Sequence, residues 1–289
     1  MTDVFQTSLT FWPLVGLAYV GLFLLFAVTW GVSYRIKNAG IVDVVWAIGF
    51  SVLMIFYGVL PQGYLPRTLL FGSLVVLASL RLTWYLGNRF LHEYPVEDGR
   101  YNSFRVAFEE QGGSGKKGEL HAEWMMFWLF QLQGLLMTIL SVPFAMIALN
   151  QTPELYLIEW LAAGVWLVGF TGEAIADDQL RRFKTDPANK GKVCDTGLWG
   201  YSRHPNYFFQ WLMWVAYFVF ALATPNGWMT LYVPLIMLYF LTQVTGIKAT
   251  EEQTLKTRGE AYRRYQQTTS AFIPWFKSQA PDTQQALSL

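Results

Sequence analysis

Residues Thr196–Trp211 read TGLWGYSRHPNYFFQW, a glycine-containing polar loop that passes through Pro205 into a long apolar segment. Proline has no N–H group and a fixed φ, so it suits the first position of a helix. From there to Ala223 the only strongly polar side chains are those of Asn206 and Gln210, and this length is enough to cross a bilayer. The pattern predicts a membrane helix whose positive N-terminal end faces out of the lipid.

Polar side chains gather where this helix begins. Arg203, His204 and Asn206 lie together there, an arrangement that suits an anion or a cofactor phosphate. An interfacial cap, in which Arg203 meets lipid headgroups and His204 is incidental, explains the same residues. Further along, Asn206, Gln210 and Trp214 recur every four residues and form one stripe of the helix. The stripe indicates a flat polar partner, and packing against another helix is the alternative.

The composition is that of a multispanning membrane protein. Of the 289 residues, 53% are hydrophobic and only 14% are charged, whereas about a quarter of the residues of a soluble domain are charged. A single cysteine, Cys194, excludes an internal disulfide, and the three histidines are too scattered for ordinary zinc spacing, so no metal is expected. We expect membrane lipids as partners, no nucleic acid, and a monomer.

Seven apolar segments follow one another along the chain, each near the roughly 20 residues that a spanning helix needs. They are Leu9–Val32, Ile41–Leu60, Thr68–Leu86, Trp124–Leu149, Leu155–Ala176, Asn206–Thr224 and Trp228–Ile247. They predict an all-α fold, a seven-transmembrane-helix bundle that forms a single multispanning membrane domain over residues 1–278. Residues 279–289 are predicted to be a disordered tail.

The basic residues orient this bundle. Every Lys and Arg except Arg67 and Arg81 falls in the first, third or fifth connection or after the seventh segment. The positive-inside rule therefore places the N-terminus outside and the C-terminus in the cytoplasm. The expected location is a bacterial inner membrane, or the endoplasmic reticulum membrane if the protein is eukaryotic. The long, charged inner connections indicate that any chemistry faces the cytoplasm.

The segment after the seventh span has its own helical pattern. Glu251, Leu255, Tyr262 and Tyr265 follow helical spacing, and Gly259 interrupts it. This charged and aromatic pattern is typical of an amphipathic helix at the membrane face. A cytoplasmic C-terminal helix is therefore predicted.

Two charged side chains lie inside predicted spans, where a charge costs about 2.5–3.5 kcal/mol at the bilayer centre. Asp43 is one turn into the second segment, and Arg81 is about one turn from the cytoplasmic end of the third. They fall in the same leaflet and could form a structural ion pair. Alternatively they line a polar cavity, with Trp46 and Tyr85 one helical turn further along. The residues alone leave both interpretations open.

A second polar group lies in the third connection. Glu97, Asp98, Arg100 and Tyr101 surround the turn residue Gly99. Carboxylates, a guanidinium and a phenol suit the hydroxyl, phosphate and ring contacts of a nucleotide. Taken alone, a solvated loop explains them as well.

The Thr196–Trp211 stretch resembles the C-terminal signature of the steroid 5α-reductase family, especially its bacterial branch. Three further stretches share the resemblance, and together they span most of the chain from Ile41 to Phe276, with residues 155–276 similar to the C-terminal region of that family. They are Asp43–Trp46, Glu97–Tyr101, and the tail pattern of Lys248, Glu251, Glu252, Leu255, Gly259, Tyr262, Tyr265 and Ile273-Pro274.

The resemblance implies a membrane-embedded NADPH-dependent reductase. Hydride would pass to the C=C bond of a 3-oxo-Δ4-steroid or similar lipid enone that enters from the bilayer. A side chain on the second helix, with a tyrosine on the third, would polarise the carbonyl, where charge develops in the transition state. This implies Asp43 and Tyr85, with Trp46, as the catalytic group. The sequence departs here from the steroid-metabolising members, whose second helix carries a Gln-Glu pair, because Asp43 is the only carboxylate in its second segment.

The resemblance also assigns the cofactor contacts. The residues implied are Asp98, Arg100, Tyr101, Asp177, Lys184, Lys192, Tyr201, Arg203, His204, Asn206, Tyr207, Trp214, Lys248, Glu252, Tyr262 and Tyr265. The Arg-His-Pro-x-Tyr core is shared with isoprenylcysteine carboxyl methyltransferases, which bind S-adenosylmethionine, so such a methyltransferase is the alternative. A transporter is a third interpretation, but the sequence shows none of the internal repeats that many transporters have.

Overall fold

The computed structural model describes residues 10–60, 63–244 and 246–278, which form helices and turns without a β-strand. The α-helices are α1 (Phe11–Ile36), α2 (Ile41–Val59), α3 (Leu65–Glu93), α4 (Gly99–Gly112), α5 (Lys116–Leu140), α6 (Val142–Leu149), α7 (Leu157–Thr185), α8 (Pro205–Ala221), α9 (Tyr232–Tyr239) and α10 (Ile247–Thr268). Short 3-10 turns occur at Pro187–Asn189, Gly197–Gly200 and Gly227–Leu231, and a π-helical turn at Phe240–Val244. The expected all-α class is confirmed.

The chain packs as two compact units. Unit 1 is Met1–Tyr156, which contains α1–α6, and unit 2 is Leu157–Leu289, which contains α7–α10. The predicted tail over residues 279–289 lies outside the described residues.

Six helical stretches of the described chain are long and apolar enough to cross a membrane, so the protein is a multi-pass membrane protein. They are Phe11–Ile36, Ile41–Val59, Leu65–Glu93, Lys116–Leu149, Leu157–Thr185 and Gly227–Thr268. Each contains or overlaps one of the predicted segments. The remaining predicted segment, Asn206–Thr224, corresponds to α8, which has 17 residues.

Buried polar contacts fasten the helices of unit 1. Ser79 on α3 donates to the backbone oxygen of Ala47 on α2 at 2.6 Å, and its hydroxyl lies 2.8 Å from that of Ser51. Such hydrogen bonds stabilise helix contacts where lipid offers no partner. The long stretch Lys116–Leu149 divides into α5 and α6 at Ser141, because Pro143 cannot donate to the preceding turn and its ring crowds that turn.

Arg67, in the first turn of α3, is fully buried in unit 1. Its guanidinium donates to the backbone oxygens of Asn150 at 3.5 Å and Thr152 at 2.8 Å, and also to that of Glu154. The three carbonyls belong to the connection that follows α6. They give this cation polar partners inside the unit.

Local signals fix the ends of helices in unit 2. α8 begins at Pro205, as the sequence predicts, with His204 as its N-cap residue. α10 covers the predicted amphipathic segment and bends at Gly259, where φ is 49° and ψ is −123°. Glycine reaches this conformation without the steric cost that a side chain brings. The predicted interruption at Gly259 is therefore confirmed.

Candidate functional site

The first polar group is in unit 1 and is called here the Asp43 cluster: Asp43, Arg89, Asp98, Arg100 and Tyr101. Asp43, in the first turn of α2, accepts from Arg100 Nη2 at 2.6 Å and from Tyr101 Oη at 2.5 Å. Arg89 Nη2 lies 3.6 Å from the same carboxylate. Asp98 caps α4, accepting from the backbone N of Arg100 at 2.9 Å and from its Nε at 3.0 Å. The charges of the cluster are paired with one another.

The protonation states of this cluster follow from its surroundings. Burial raises the pKa of Tyr101 well above its ordinary value, and the negative charge of Asp43 acts in the same direction. Burial by itself acts to raise the pKa of Asp98, but hydrogen bonds from Arg100 outweigh it, so the pKa of Asp98 is lowered. At neutral pH Tyr101 is a phenol donor and Asp98 a carboxylate. A small depression borders Asp43, Arg89 and Asp98.

The three residues predicted to be catalytic have different surroundings. Asp43 belongs to the cluster just described, whereas Tyr85 on α3 is 44% exposed. Trp46 is half-buried and packs edge-to-face on Phe50, with ring centroids 4.8 Å apart. The contacts of Asp43 favour the ion-pair interpretation, with Arg89 and Arg100 as its partners. A catalytic role for these residues stays a prediction.

A second ion network secures the predicted nucleotide-contacting loop. Arg105 on α4 donates to Glu97 Oε1 at 3.0 Å and Oε2 at 3.2 Å, and it also donates to Glu123 on α5. Glu97 Oε1 accepts from the backbone N of Ala39, and Asn38 Nδ2 donates to the Val96 carbonyl. Residues Pro95–Tyr101 are thus tied to the turn between α1 and α2 and to α5. Their polar groups make bonds within unit 1.

The second polar group lies in unit 2 and is called here the Glu251 network: Arg203, His204, Glu251, Tyr262 and Gln266. Arg203 donates to Glu251 from Nε at 2.7 Å and from Nη2 at 3.3 Å. Tyr262 Oη donates to Oε1 at 3.2 Å and Gln266 Nε2 to Oε2 at 2.7 Å. His204 Nε2 lies 3.2 Å from Oε1. Glu251 thereby joins α10 to the loop before α8.

The remaining donors of Arg203 also point into the protein. Its Nη1 donates to the backbone oxygens of Gln266 at 3.0 Å and Thr269 at 2.6 Å. A phosphate bound at Arg203 would have to displace these contacts or Glu251. Burial lowers the pKa of His204, although the nearby Glu251 carboxylate acts in the opposite direction. In this structure both residues hold the N-terminal end of α8 in place.

Asn206, in the first turn of α8, leaves one polar atom unmatched. Its Nδ2 donates to Asp177 Oδ1 on α7 at 3.1 Å, while its Oδ1 is buried and has no hydrogen-bond partner. A carboxylate only accepts, so Asp177 fixes which end of the amide faces it. An unpaired buried acceptor costs about 1–3 kcal/mol. Arg258 Nε is also buried without a partner, and no other side-chain nitrogen or oxygen of the described residues is.

The other predicted cofactor contacts divide into packed and exposed residues. Tyr265 Oη donates to the backbone oxygens of Trp199 and Ser202, and the Tyr207 ring stacks on His204 with centroids 5.3 Å apart. Trp214 is buried. The exposed members are Lys184, Lys192, Tyr201, Lys248 and Glu252.

Residues 29–269 match a family described as "Protein of unknown function (DUF1295)". The chain belongs to this DUF1295 family. It is 28% identical over 284 residues to the "Uncharacterized protein C594.04c" of Schizosaccharomyces pombe (strain 972 / ATCC 24843), which covers 88% of this chain and 79% of that protein. No solved structure matches the chain.

The DUF1295 match contains both polar groups and both unpaired atoms. It begins within α1 and extends to Thr269, just after α10. Two residues that the sequence did not single out as site residues, Glu251 and Arg258, lie on α10 seven residues apart, which is two helical turns and therefore one face. Helical spacing is the only sequence signal that connects them.

Proposed function

We propose that this DUF1295 protein is a membrane-embedded reductase that uses NADPH to transfer a hydride to the C=C bond of a 3-oxo-Δ4-steroid or similar lipid enone. The resemblance of Thr196–Trp211 to the steroid 5α-reductase signature supplies the reaction. The observation that carries the proposal is the unpaired, buried Oδ1 of Asn206 at the start of α8.

The chemistry of this atom selects its partner. Oδ1 is an acceptor, so it suits an amide N–H or a hydroxyl and does not suit a phosphate oxygen, which also accepts. The nicotinamide carboxamide and the ribose hydroxyls are donors of this kind. The residues present therefore fit the nicotinamide end of the cofactor.

The neighbouring residues of unit 2 support this assignment. Asp177 holds the Asn206 amide in one orientation, so the acceptor is in place before a ligand arrives. Gln210, which is half-buried, and Trp214, which is buried, continue the same stripe of α8. The exposed side chains of Lys184, Lys192 and Lys248 supply positive charge for phosphate groups. When bound, NADPH supplies the hydride.

The proposal includes a seventh crossing and an orientation. α8 has 17 residues and is about 26 Å long at 1.5 Å per residue, close to the roughly 30 Å of a hydrocarbon core. With seven crossings, the basic connections fall on the cytoplasmic side, the N-terminus outside and the C-terminus inside. In a chain with Cys194→Ser, a cysteine placed at Gln151 should react with an impermeant reagent on intact cells, and one placed at Ser114 should not. The opposite pattern would reverse the orientation.

Binding of NADPH to the detergent-purified protein tests the function. The wild type should bind NADPH more tightly than S-adenosylmethionine. Asn206→Ala should weaken NADPH binding by about 1–3 kcal/mol, or about 5–150-fold. The thermal stability of the ligand-free protein should change less than the affinity, because the substitution removes the Nδ2 bond to Asp177 but also removes the unpaired Oδ1. Gln253→Ala, on the exposed face of α10, is the control and should bind normally.

Two results would contradict the proposal. Tighter binding of S-adenosylmethionine than of NADPH would favour the isoprenylcysteine-type methyltransferase. Normal NADPH affinity in Asn206→Ala, together with a lower melting temperature, would make Asn206 a structural cap.

A further inference from the structure

Arg258 is a cation for which the described part of the chain provides no counter-charge. Its Nε is buried and has no hydrogen-bond partner, and no carboxylate of the described residues forms an ion pair with it. A buried donor of a charged group is costly to leave unpaired. Buried polar atoms in folded proteins are normally hydrogen-bonded, so this Nε is a candidate donor to a bound ligand.

The position of Arg258 within unit 2 brings it near other charges. It is the last residue of the regular first part of α10, immediately before the bend at Gly259. The positive charges of Arg258 and of Lys184, at the end of α7, both act to lower the pKa of the buried Cys194 thiol, although burial raises that pKa overall. Two cations from different helices therefore lie near one thiol. The adjacent carboxylate of Asp195 pairs with Lys277 at 3.2 Å.

A guanidinium whose Nε has no partner can donate two parallel hydrogen bonds, one from Nε and one from a terminal nitrogen, to two oxygens of a phosphate group. A carboxylate ligand would fit the same donors, but the NADPH of the proposed function carries phosphate groups and no carboxylate. We propose that Arg258, with Lys184, is a binding site for a phosphate group, supplied by the NADPH of the proposed function. The inference rests on that function for the identity of the ligand and on the unpaired Nε for the chemistry.

The test compares Arg258→Gln with wild type and with Arg263→Gln, an exposed arginine on the same helix whose partner is Glu260. NADPH and NADH affinities are measured in detergent, and inorganic pyrophosphate is tested by its effect on the melting temperature at constant ionic strength. Arg258→Gln should bind NADPH about tenfold more weakly or worse and should lose stabilisation by pyrophosphate. Arg263→Gln should behave as wild type. A loss confined to NADPH would assign the 2′-phosphate, and an equal loss for NADH the pyrophosphate.

The ligand-free protein supplies a second measurement. Arg258→Gln removes a donor atom that is buried without a partner, so the melting temperature of the ligand-free variant should be unchanged or higher. A lower melting temperature with unchanged NADPH and pyrophosphate responses would make Arg258 structural and overturn the inference.

Failure of the proposed function can be told apart from failure of this inference. If the wild type binds neither dinucleotide, the function fails, and the Arg258-dependent response to pyrophosphate decides the inference alone. The melting temperature is also measured in nanodiscs containing phosphatidylglycerol. An Arg258-dependent rise there, with no rise in response to pyrophosphate, would identify a lipid headgroup as the source of the phosphate. Absence of an Arg258-dependent response to all these probes would overturn it.

Discussion

The Asp43 cluster of unit 1 and the start of α8 in unit 2 both place polar side chains at the ends of membrane helices, but their hydrogen bonding differs. In the Asp43 cluster each carboxylate has guanidinium partners within 3.6 Å. In unit 2 the Glu251 network is equally complete, yet Asn206 and Arg258 beside it each keep a buried atom without a partner. A group whose polar atoms all have partners stabilises the fold by itself. A group that keeps an unpaired buried atom stabilises the protein further when a ligand supplies the missing partner. The difference is why the proposed cofactor contacts are Asn206 and Arg258 and not the Asp43 cluster.

The largest effect is expected from breaking the saturated network of unit 2. Glu251→Gln leaves the nearly buried Arg203 guanidinium without its counter-charge, and breaking such a pair costs about 3–5 kcal/mol. Chemical denaturation of the purified protein measures the loss. Glu260→Gln, which removes an exposed ion pair with Arg263 on the same helix, should cost less than about 1 kcal/mol. Equal stability of the two variants would show that the network is not what holds α10.

A smaller effect is expected in unit 1. Asp43→Asn weakens the bonds from Arg100 and Tyr101, and because the arginines are partly exposed the loss of stability should be about 1–3 kcal/mol. Adding Arg100→Gln should restore part of it. Glu93→Gln, at a longer and exposed contact with Arg89, is the control.

This variant also separates the two interpretations of Asp43. Normal NADPH binding and normal turnover in the folded fraction of Asp43→Asn would agree with an ion pair. Loss of turnover at unchanged stability and unchanged NADPH affinity would instead support Asp43 as the carbonyl-polarising residue, with Tyr85 and Trp46.

The smallest effect concerns pH. Burial lowers the pKa of His204, so the folded protein binds fewer protons there than the unfolded chain as the pH falls below about 6.5. Acidification from pH 7.5 toward the lowered pKa should therefore reduce the free energy of unfolding. His204→Gln should weaken this pH dependence, as measured by denaturation at a series of pH values. An unchanged profile would mean that other groups cause it.

Local signals were sufficient for much of the fold. Pro205 marked the start of α8 and Gly259 the bend in α10, because each constrains its own backbone. α4 was missed: Asp98 caps it, but no apolar stripe follows to distinguish a helix from a solvated loop. The third helix was predicted to end at Leu86, whereas α3 continues to Glu93, since the charged residues of its last turns lower hydropathy without breaking the helix.

The site depended more on contacts between distant residues. Arg81 was considered as the partner of Asp43 because both fall in one leaflet, but Arg89 and Arg100 form the pairs. They are within reach because α3 is two turns longer than predicted and because the loop before α4 folds back on α2. No sequence pattern could predict that Oδ1 of Asn206 is unpaired. It results from Asp177, 29 residues earlier in the chain, holding the other end of the amide.

The buried Arg67 has a consequence for the order of events during synthesis. Its carbonyl partners follow it by 83 to 87 residues, so they are not yet made when α2 and α3 leave the ribosome. In the proposed orientation Arg67 lies on the far side of the membrane. In that orientation α2 and α3 would carry the guanidinium across the bilayer before the carbonyls that enclose it have been made, with the Tyr64 ring as its nearby partner. The proposed orientation therefore makes the insertion of α2 and α3 and the completion of unit 1 two separate steps of biogenesis.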